Sequence, residues 1–252
     1  MFGLFKNNEN ACPVSEDMRL WTENAMIWLM QEFGEEKILS VRTLLPIQQD
    51  FPFRFDGSEG TAYSALNIVA NQMEVNPTDI VINFFDERFL EIRGDTGQVI
   101  FTQPYEDELY AAGLYHGKNE QGKFEIDVER GQLTVPEHLV STLAHEIAHI
   151  KILGEERLSD NDELLTDLVT VFFGLGIFNA NAAFRFFSAA DKWGYSKQGY
   201  LTQQEWGYAL AIYAYIRGEK GPEWSKYLTP GVKSDYKKSE AFIYNNTDKI
   251  LV

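Results

Sequence analysis

Five residues constrain this chain more than any others: His145-Glu146-Ile147-Ala148-His149, an H-E-x-x-H segment. On an α-helix, residues four apart are offset by about 40° around the axis and about 6 Å along it, so both imidazoles leave one face and can grip a single metal ion. Glu146 lies beside them. A carboxylate there can take a proton from metal-bound water, whose pKa zinc lowers from about 15.7 to about 7. The flanking residues favour the helix this chemistry needs. Thr134 and Glu137 have the T-x-x-E spacing of a capping box, with Pro136 in the first turn, which predicts a helix start just upstream. Leu139, Leu143, Ile147 and Ile150 recur at helical spacing as a buried stripe. The same wheel gathers His138, Thr142, His145 and His149 on the opposite side, and nothing breaks the pattern before Gly154. With four histidines and 38 acidic residues in 252, random placement gives H-[DE]-x-x-H on the order of once in a hundred such chains, so chance is the weaker account.

Two histidines leave a metal under-coordinated, and a third protein ligand is expected on the next helix, with water in the remaining position. Residues 162–173 read as that helix. Leu164, Leu165, Leu168, Val169 and Phe172 form its apolar side, and Glu163, Thr166, Asp167 and Thr170 fall opposite. Glu163 is the candidate third ligand. Asp167, one turn on, is a second carboxylate on the same face.

Together, His145-Glu146-x-x-His149 followed by Glu163-x-x-x-Asp167 resembles the gluzincin pattern of zinc metallopeptidases, over roughly residues 134–175. The H-x-x-G-x-x-H continuation of metzincins is missing, since Ile-Lys-Ile-Leu-Gly-Glu follows His149. A looser similarity to short bacterial zincins lies in the strand-like residues 124–128 ahead of the motif helix. The resemblance implies a zincin-like fold and one zinc per chain held by His145, His149 and Glu163. It further implies that Asp167 supports a ligand histidine from behind, that Glu146 acts as general base, and that the substrate is a peptide or protein. It also implies a sheet edge that receives the substrate backbone as an added strand, for which residues 124–128 or 111–116 are the candidates. Two other functions stay open: a catalytically idle zinc-site protein binding a partner through the same groove, and a non-peptidase hydrolase using the same metal chemistry.

Bulk properties narrow the setting. A net charge of −16 argues against nucleic acid and against an anionic membrane surface as partner, because both need clustered Lys and Arg. No run of about 20 apolar residues exists to span a bilayer. The first residues lack a secretory h-region, and the single cysteine excludes an internal disulfide framework; the expectation is a cytoplasmic protein.

Along the chain, Glu16–Phe33 reads as an amphipathic helix ended by Gly34, and 38–45 as a strand closed by Pro46. Ser58 caps a helix to about residue 74, with Tyr63, Leu66, Ile68, Val69 and Met73 as its apolar positions. Strands follow at Ile80–Phe85 and 89–93, then a Gly- and acid-rich stretch at 94–108. An antiparallel pair comes next, 111–116 with 124–128. The remainder reads as almost wholly helical, broken at Gly174, Gly176, Gly194 and Gly199, with 201–217 as one more helix. A mixed sheet followed by helices is α+β. The reading is one zincin-like domain over 1–252: an N-terminal helix and mixed sheet (1–133), the metal-site helix pair (134–180) and a helical C-terminal part (181–252). Other residues carry weaker assignments. Cys12 reads as a plain thiol rather than a metal-blocking one, and His116 and His138 as structural or solvated rather than ligands. Tyr195, Tyr200 and Tyr208 are candidates for stabilising an oxyanion, and the aromatic residues Trp206, Tyr208, Tyr213 and Tyr215 read as a helix core.

Overall fold

The structure, a computed structural model, describes residues 11–86, 90–93, 99–102, 113–189, 192–197 and 201–252; four of its strands (90–93, 99–102, 184–189 and 192–197) are described in their backbone alone. The chain is α+β. It divides into two compact units, one formed by Met1–Pro52 with Asp160–Val252 and the other by Phe53–Ser159. In chain order the first unit begins with α1 (Glu16–Phe33) and α2 (Glu35–Ser40). The second unit holds α3 (Glu59–Gln72), β1 (Ile80–Phe85), β2 (Leu90–Arg93), β3 (Val99–Thr102), β4 (Gly113–Lys118), β5 (Phe124–Glu129) and α4 (Pro136–His149). The first unit then resumes with α5 (Glu163–Phe172), α6 (Gly176–Ala182), β6 (Phe184–Ala189), β7 (Lys192–Lys197), α7 (Gln203–Ile216) and α8 (Pro230–Asn245).

In the first unit, α1 has the expected bounds. The Ser15 hydroxyl accepts from the Met18 N–H at 3.2 Å. Gly34, at φ 93°, ends the helix and returns its N–H to Met30. That left-handed residue also resets the backbone for α2, so the expected strand at 38–45 is corrected: Ile38 to Ser40 are helical, started by Glu35 and Glu36 in a first turn that favours acidic groups. Beyond them the Leu44 N–H donates to the Gly174 carbonyl at 2.9 Å, and no ladder forms at 41–45 among the described residues. Inside α1, Glu23 is wholly buried and accepts from Arg19 at 2.8 Å, from the Tyr208 hydroxyl at 2.5 Å and from the Leu251 N–H at 2.9 Å. α7 carries a complete capping box between Thr202 and Glu205, and Trp206, Tyr208 and Tyr213 are buried along it as expected. The expectation of an almost wholly helical C-terminal part is corrected by β6 and β7, an antiparallel pair. Its sequence, Phe-Arg-Phe-Phe-Ser-Ala and Lys-Trp-Gly-Tyr-Ser-Lys, is aromatic and short of strong helix formers, which suits a pleated surface better than a helix.

In the second unit a three-stranded mixed sheet has the order β1-β5-β4, with β1 parallel and β4 antiparallel to β5. β2 and β3 form a separate antiparallel pair, and the remainder of the 94–108 stretch and residues 111–112 lie outside the described residues. The expected 111–116 with 124–128 pairing is present as β4 and β5. β5 is central, so it is removed as a substrate edge; β4 is an edge of this sheet among the described residues. α4 packs on α3, β4 and β5. The buried residues of α3 are Thr61, Ala62, Ala65, Leu66, Val69 and Ala70, while Tyr63, expected among its apolar positions, is 41% exposed and its hydroxyl donates to the Ile82 carbonyl. No helix among the described residues is long and apolar enough to cross a membrane.

Ser58 caps α3 as expected, accepting from the Thr61 N–H at 3.2 Å. Asp56 reinforces the cap. The Ser58 and Thr61 side chains and the Ser58 N–H hold its carboxyl down to about 2. A folded-state value below the unfolded one stabilises at pH above about 4, and that contribution disappears as pH falls towards 2. Asp56→Ala should therefore lower the urea midpoint of the parent at pH 7, and the difference should close between pH 4 and pH 2; equal midpoints at pH 7 would remove the role.

Candidate metal centre

The motif helix starts otherwise than its sequence suggests. Thr134 belongs to a 3₁₀ turn (Arg130–Thr134), and its hydroxyl donates to the Gly131 carbonyl at 2.7 Å. Val135 is the N-cap of α4, without a side-chain cap bond, so the expected Thr134–Glu137 capping box is not formed. Pro136 at the first position supplies the start instead, because its fixed φ suits a first turn and its missing N–H costs nothing there. Leu139, Leu143, Ile147 and Ile150 are all fully buried, as expected. The opposite side is buried too: Thr142 is 1% exposed, Glu146 3% and His149 6%. His138 and His145 on that side are half-buried, so the cover is closest over Thr142, Glu146 and His149, whose polar groups are held away from bulk water. There, electrostatic interactions are stronger.

His145 and His149 come together as the spacing requires. Their ring centroids lie 4.9 Å apart at 87°, edge to face. Beyond His149 the helix widens into a π-turn, Ile150–Gly154, with the Glu155 N–H reaching back to Ile150 at 2.8 Å. Such turns are rare and recur at functional sites. Buried Lys151 within it pairs with Glu155 at 2.6 Å.

β4 runs along this face. A Cβ built on Gly113 would lie 2.7 Å from Oε1 of Glu146 and 2.7 Å from the Thr142 methyl, so only a glycine leaves the Glu146 carboxylate its place. Two residues on, Tyr115 stacks on His149 with ring centroids 6.1 Å apart and planes 10° apart, and burial pushes its phenol up. Sequence reading missed both residues, because nothing in a single chain links a strand glycine or tyrosine to a helix thirty residues later.

On α5, Asp162 caps the helix through the Leu165 N–H at 3.0 Å, and the Asn161 amide donates to Oε1 of Glu163 at 2.7 Å. Thr166, Asp167 and Thr170 are fully buried, so this polar face is not solvated. Oδ2 of Asp167 accepts from the Leu201 N–H at 3.1 Å. One ligand atom from each of His145, His149 and Glu163 lies within 4.8 Å of the others. Two imidazole nitrogens and a carboxylate oxygen are a donor set suited to a divalent ion of the zinc type.

The remaining candidates fall elsewhere. His116 pairs with Asp127 at 2.9 Å, and Asp127 also accepts from Asn83. His138, two turns before His145, has its Nδ1 buried without a hydrogen-bond partner among the described residues. Tyr208 is removed as an oxyanion donor, since its hydroxyl is buried against Glu23 and burial first, then that bond, raises its pKa. Tyr200 and the Tyr195 side chain lie outside the described residues. Burial pushes the Cys12 thiol up, and its charged neighbours are Arg19, Glu16 and Glu23 of α1.

Gly113→Ala tests the close approach of β4 to α4. Overpacking of this kind costs about 1–3 kcal/mol, so urea unfolding should show a loss in that range and a crystal structure of the variant should show the Glu146 side chain displaced. An unchanged midpoint with Glu146 in place would overturn the constraint. Comparison with protein-family models, curated proteins and solved structures finds no match, so the chemistry of the site is the ground on which its function is read.

Proposed function

We propose that this chain is a zinc-dependent metallopeptidase with a zincin-like fold, of the gluzincin type. The observation that carries the reading is the convergence of one donor atom each from His145, His149 and Glu163 within 4.8 Å, with Glu146 buried beside the imidazole pair. These residues would hold one zinc per chain. When bound, zinc supplies a Lewis acid that polarises a carbonyl and acidifies water.

The chain's own groups do the rest. Oε1 of Glu146, held against Gly113, takes a proton from the attacking water and delivers it to the leaving amine, the double duty of a general base turned general acid. Its burial keeps it from competing bulk water. β4, an edge of its sheet among the described residues, offers unpaired backbone groups to an extended peptide. Asp167 serves from behind a ligand imidazole, and the buried polar face of α5 suits that place. One cysteine in the chain fits a reducing, cytoplasmic setting. The net charge of −16 disfavours nucleic acid and anionic membranes as partners.

Elemental analysis of the purified protein should give close to one zinc per chain, and His149→Ala should abolish it. Glu146→Gln should keep the zinc yet lose cleavage of a peptide library, because an amide keeps the shape but cannot act as a base; retained cleavage would refute the base role. If the parent holds zinc but cleaves nothing, the idle binding module takes precedence.

Glu163 and Asp167 are ranked by zinc titration. Glu163→Ala should largely empty the site, whereas Asp167→Ala should weaken it by about 10–100-fold, the usual cost of losing an outer partner. The opposite ranking would exchange their roles.

A further inference from the structure

We infer that Tyr115 is a positioning residue for His149, an edge-strand ring that fixes the plane of the second imidazole. This rests on the metal reading above. A histidine on a helix has a well-defined χ1 but a broad χ2, so its ring plane must be set by neighbours if it is to meet a metal in one orientation. His145 and Tyr115 are such neighbours within its unit. His145 meets it edge to face at 4.9 Å, and Tyr115 lies nearly parallel to it, 10° between planes at 6.1 Å, inside the 4.5–7 Å range of favourable offset stacking.

The surroundings are built to keep that ring in place. Phe124 on β5 supports Tyr115 at 6.3 Å. Gly154, at the end of the π-turn, leaves room: a Cβ there would come within 2.7 Å of Cε1 of Phe124 and 2.9 Å of the Tyr115 hydroxyl. The β4–β5 register shifts between Tyr115 and Gly117, and a bulge at that point re-aims side chains, a device common beside active sites. His116, at the bulge, is taken up by Asp127, while Gly113 and Tyr115, two apart, share the side of β4 that meets Glu146 and His149. Among the described residues Tyr115 makes its contacts through the ring, and its hydroxyl hydrogen-bonds to none of them. A face contact also takes no proton and occupies neither imidazole nitrogen, which leaves both for the metal and for a supporting group.

The test compares the parent with Tyr115→Phe, which keeps the ring, and Tyr115→Leu, which keeps apolar bulk without a face. Zinc Kd is measured by competition with a chelating dye, and the d–d absorption of the cobalt(II)-loaded protein reports ligand geometry independently of activity. Tyr115→Phe should match the parent in both. Tyr115→Leu should weaken zinc about tenfold, the low end for an outer partner of a metal ligand, and shift the cobalt band, with the metal-free unfolding midpoint kept. Parental Kd and cobalt spectrum in Tyr115→Leu would overturn the inference and leave the metal site standing. So would a loss in both variants alike, or one matched by a fall in the metal-free midpoint. A parent that takes up neither zinc nor cobalt would instead bring down the metal reading itself.

Discussion

Leu139, Leu143, Ile147 and Ile150 give up all their exposure along one side of α4, and the orientation of every group on the other side follows from that anchorage. The stripe sets the rotation of the helix about its own axis. Each such side chain contributes about 1.5–3 kcal/mol on burial, so turning α4 by even one residue would expose apolar surface that no polar contact nearby could offset. With the rotation fixed, His145 and His149 have no choice of direction. The sheet then closes on them, because β4 approaches so near that Gly113 has no space for a methyl group beside Glu146.

A second theme is polar groups kept from water. Thr166, Asp167 and Thr170 on α5 are buried and use backbone partners close at hand: Thr166 donates to Asp162, Thr170 to the Asp167 carbonyl, and Asp167 accepts from Leu201. Buried polar groups are tolerated when satisfied and costly when not. The same holds for Glu23, whose buried carboxylate gathers Arg19, Tyr208 and Leu251. These clusters stiffen the first unit from within.

Much of this was legible in the residues. α1 was read to its bounds, because Gly34 is an unambiguous stop; Ser58, the β4–β5 pair, α4 with its stripe, and α7 were also visible, each marked by period or cap. Misreadings had local causes. The segment 38–45 looked like a strand from its β-branched residues, but Gly34 and two glutamates favoured a short helix first. Thr134 had the spacing of a cap, yet its hydroxyl was claimed by the Gly131 carbonyl. The wheel puts the polar faces of α4 and α5 opposite their apolar stripes, yet Thr142, Glu146, His149, Thr166, Asp167 and Thr170 on those faces are buried, since periodicity reports two sides and not what covers each. Phe184–Ala189 and Lys192–Lys197 carry aromatic residues that serve helix or strand, and pairing decided between them. Of the candidate site, the helix-borne groups could be read from spacing, whereas Gly113 and Tyr115 depend on a strand meeting a helix in space.

The two units differ in how far apart along the chain their parts lie. In the first, Arg19 bonds to the Lys249 carbonyl across 230 residues and Thr43 to Tyr213 across 170; the second is one continuous stretch, Phe53–Ser159. Loop closure is entropically cheaper over short separations, and contiguous units can fold as they leave the ribosome. The stretch bearing the paired imidazoles can thus reach its shape while the chain is still being made. The unit around α1 cannot complete the bonds of Arg19 and Glu23 until Tyr208 and Lys249 have been made.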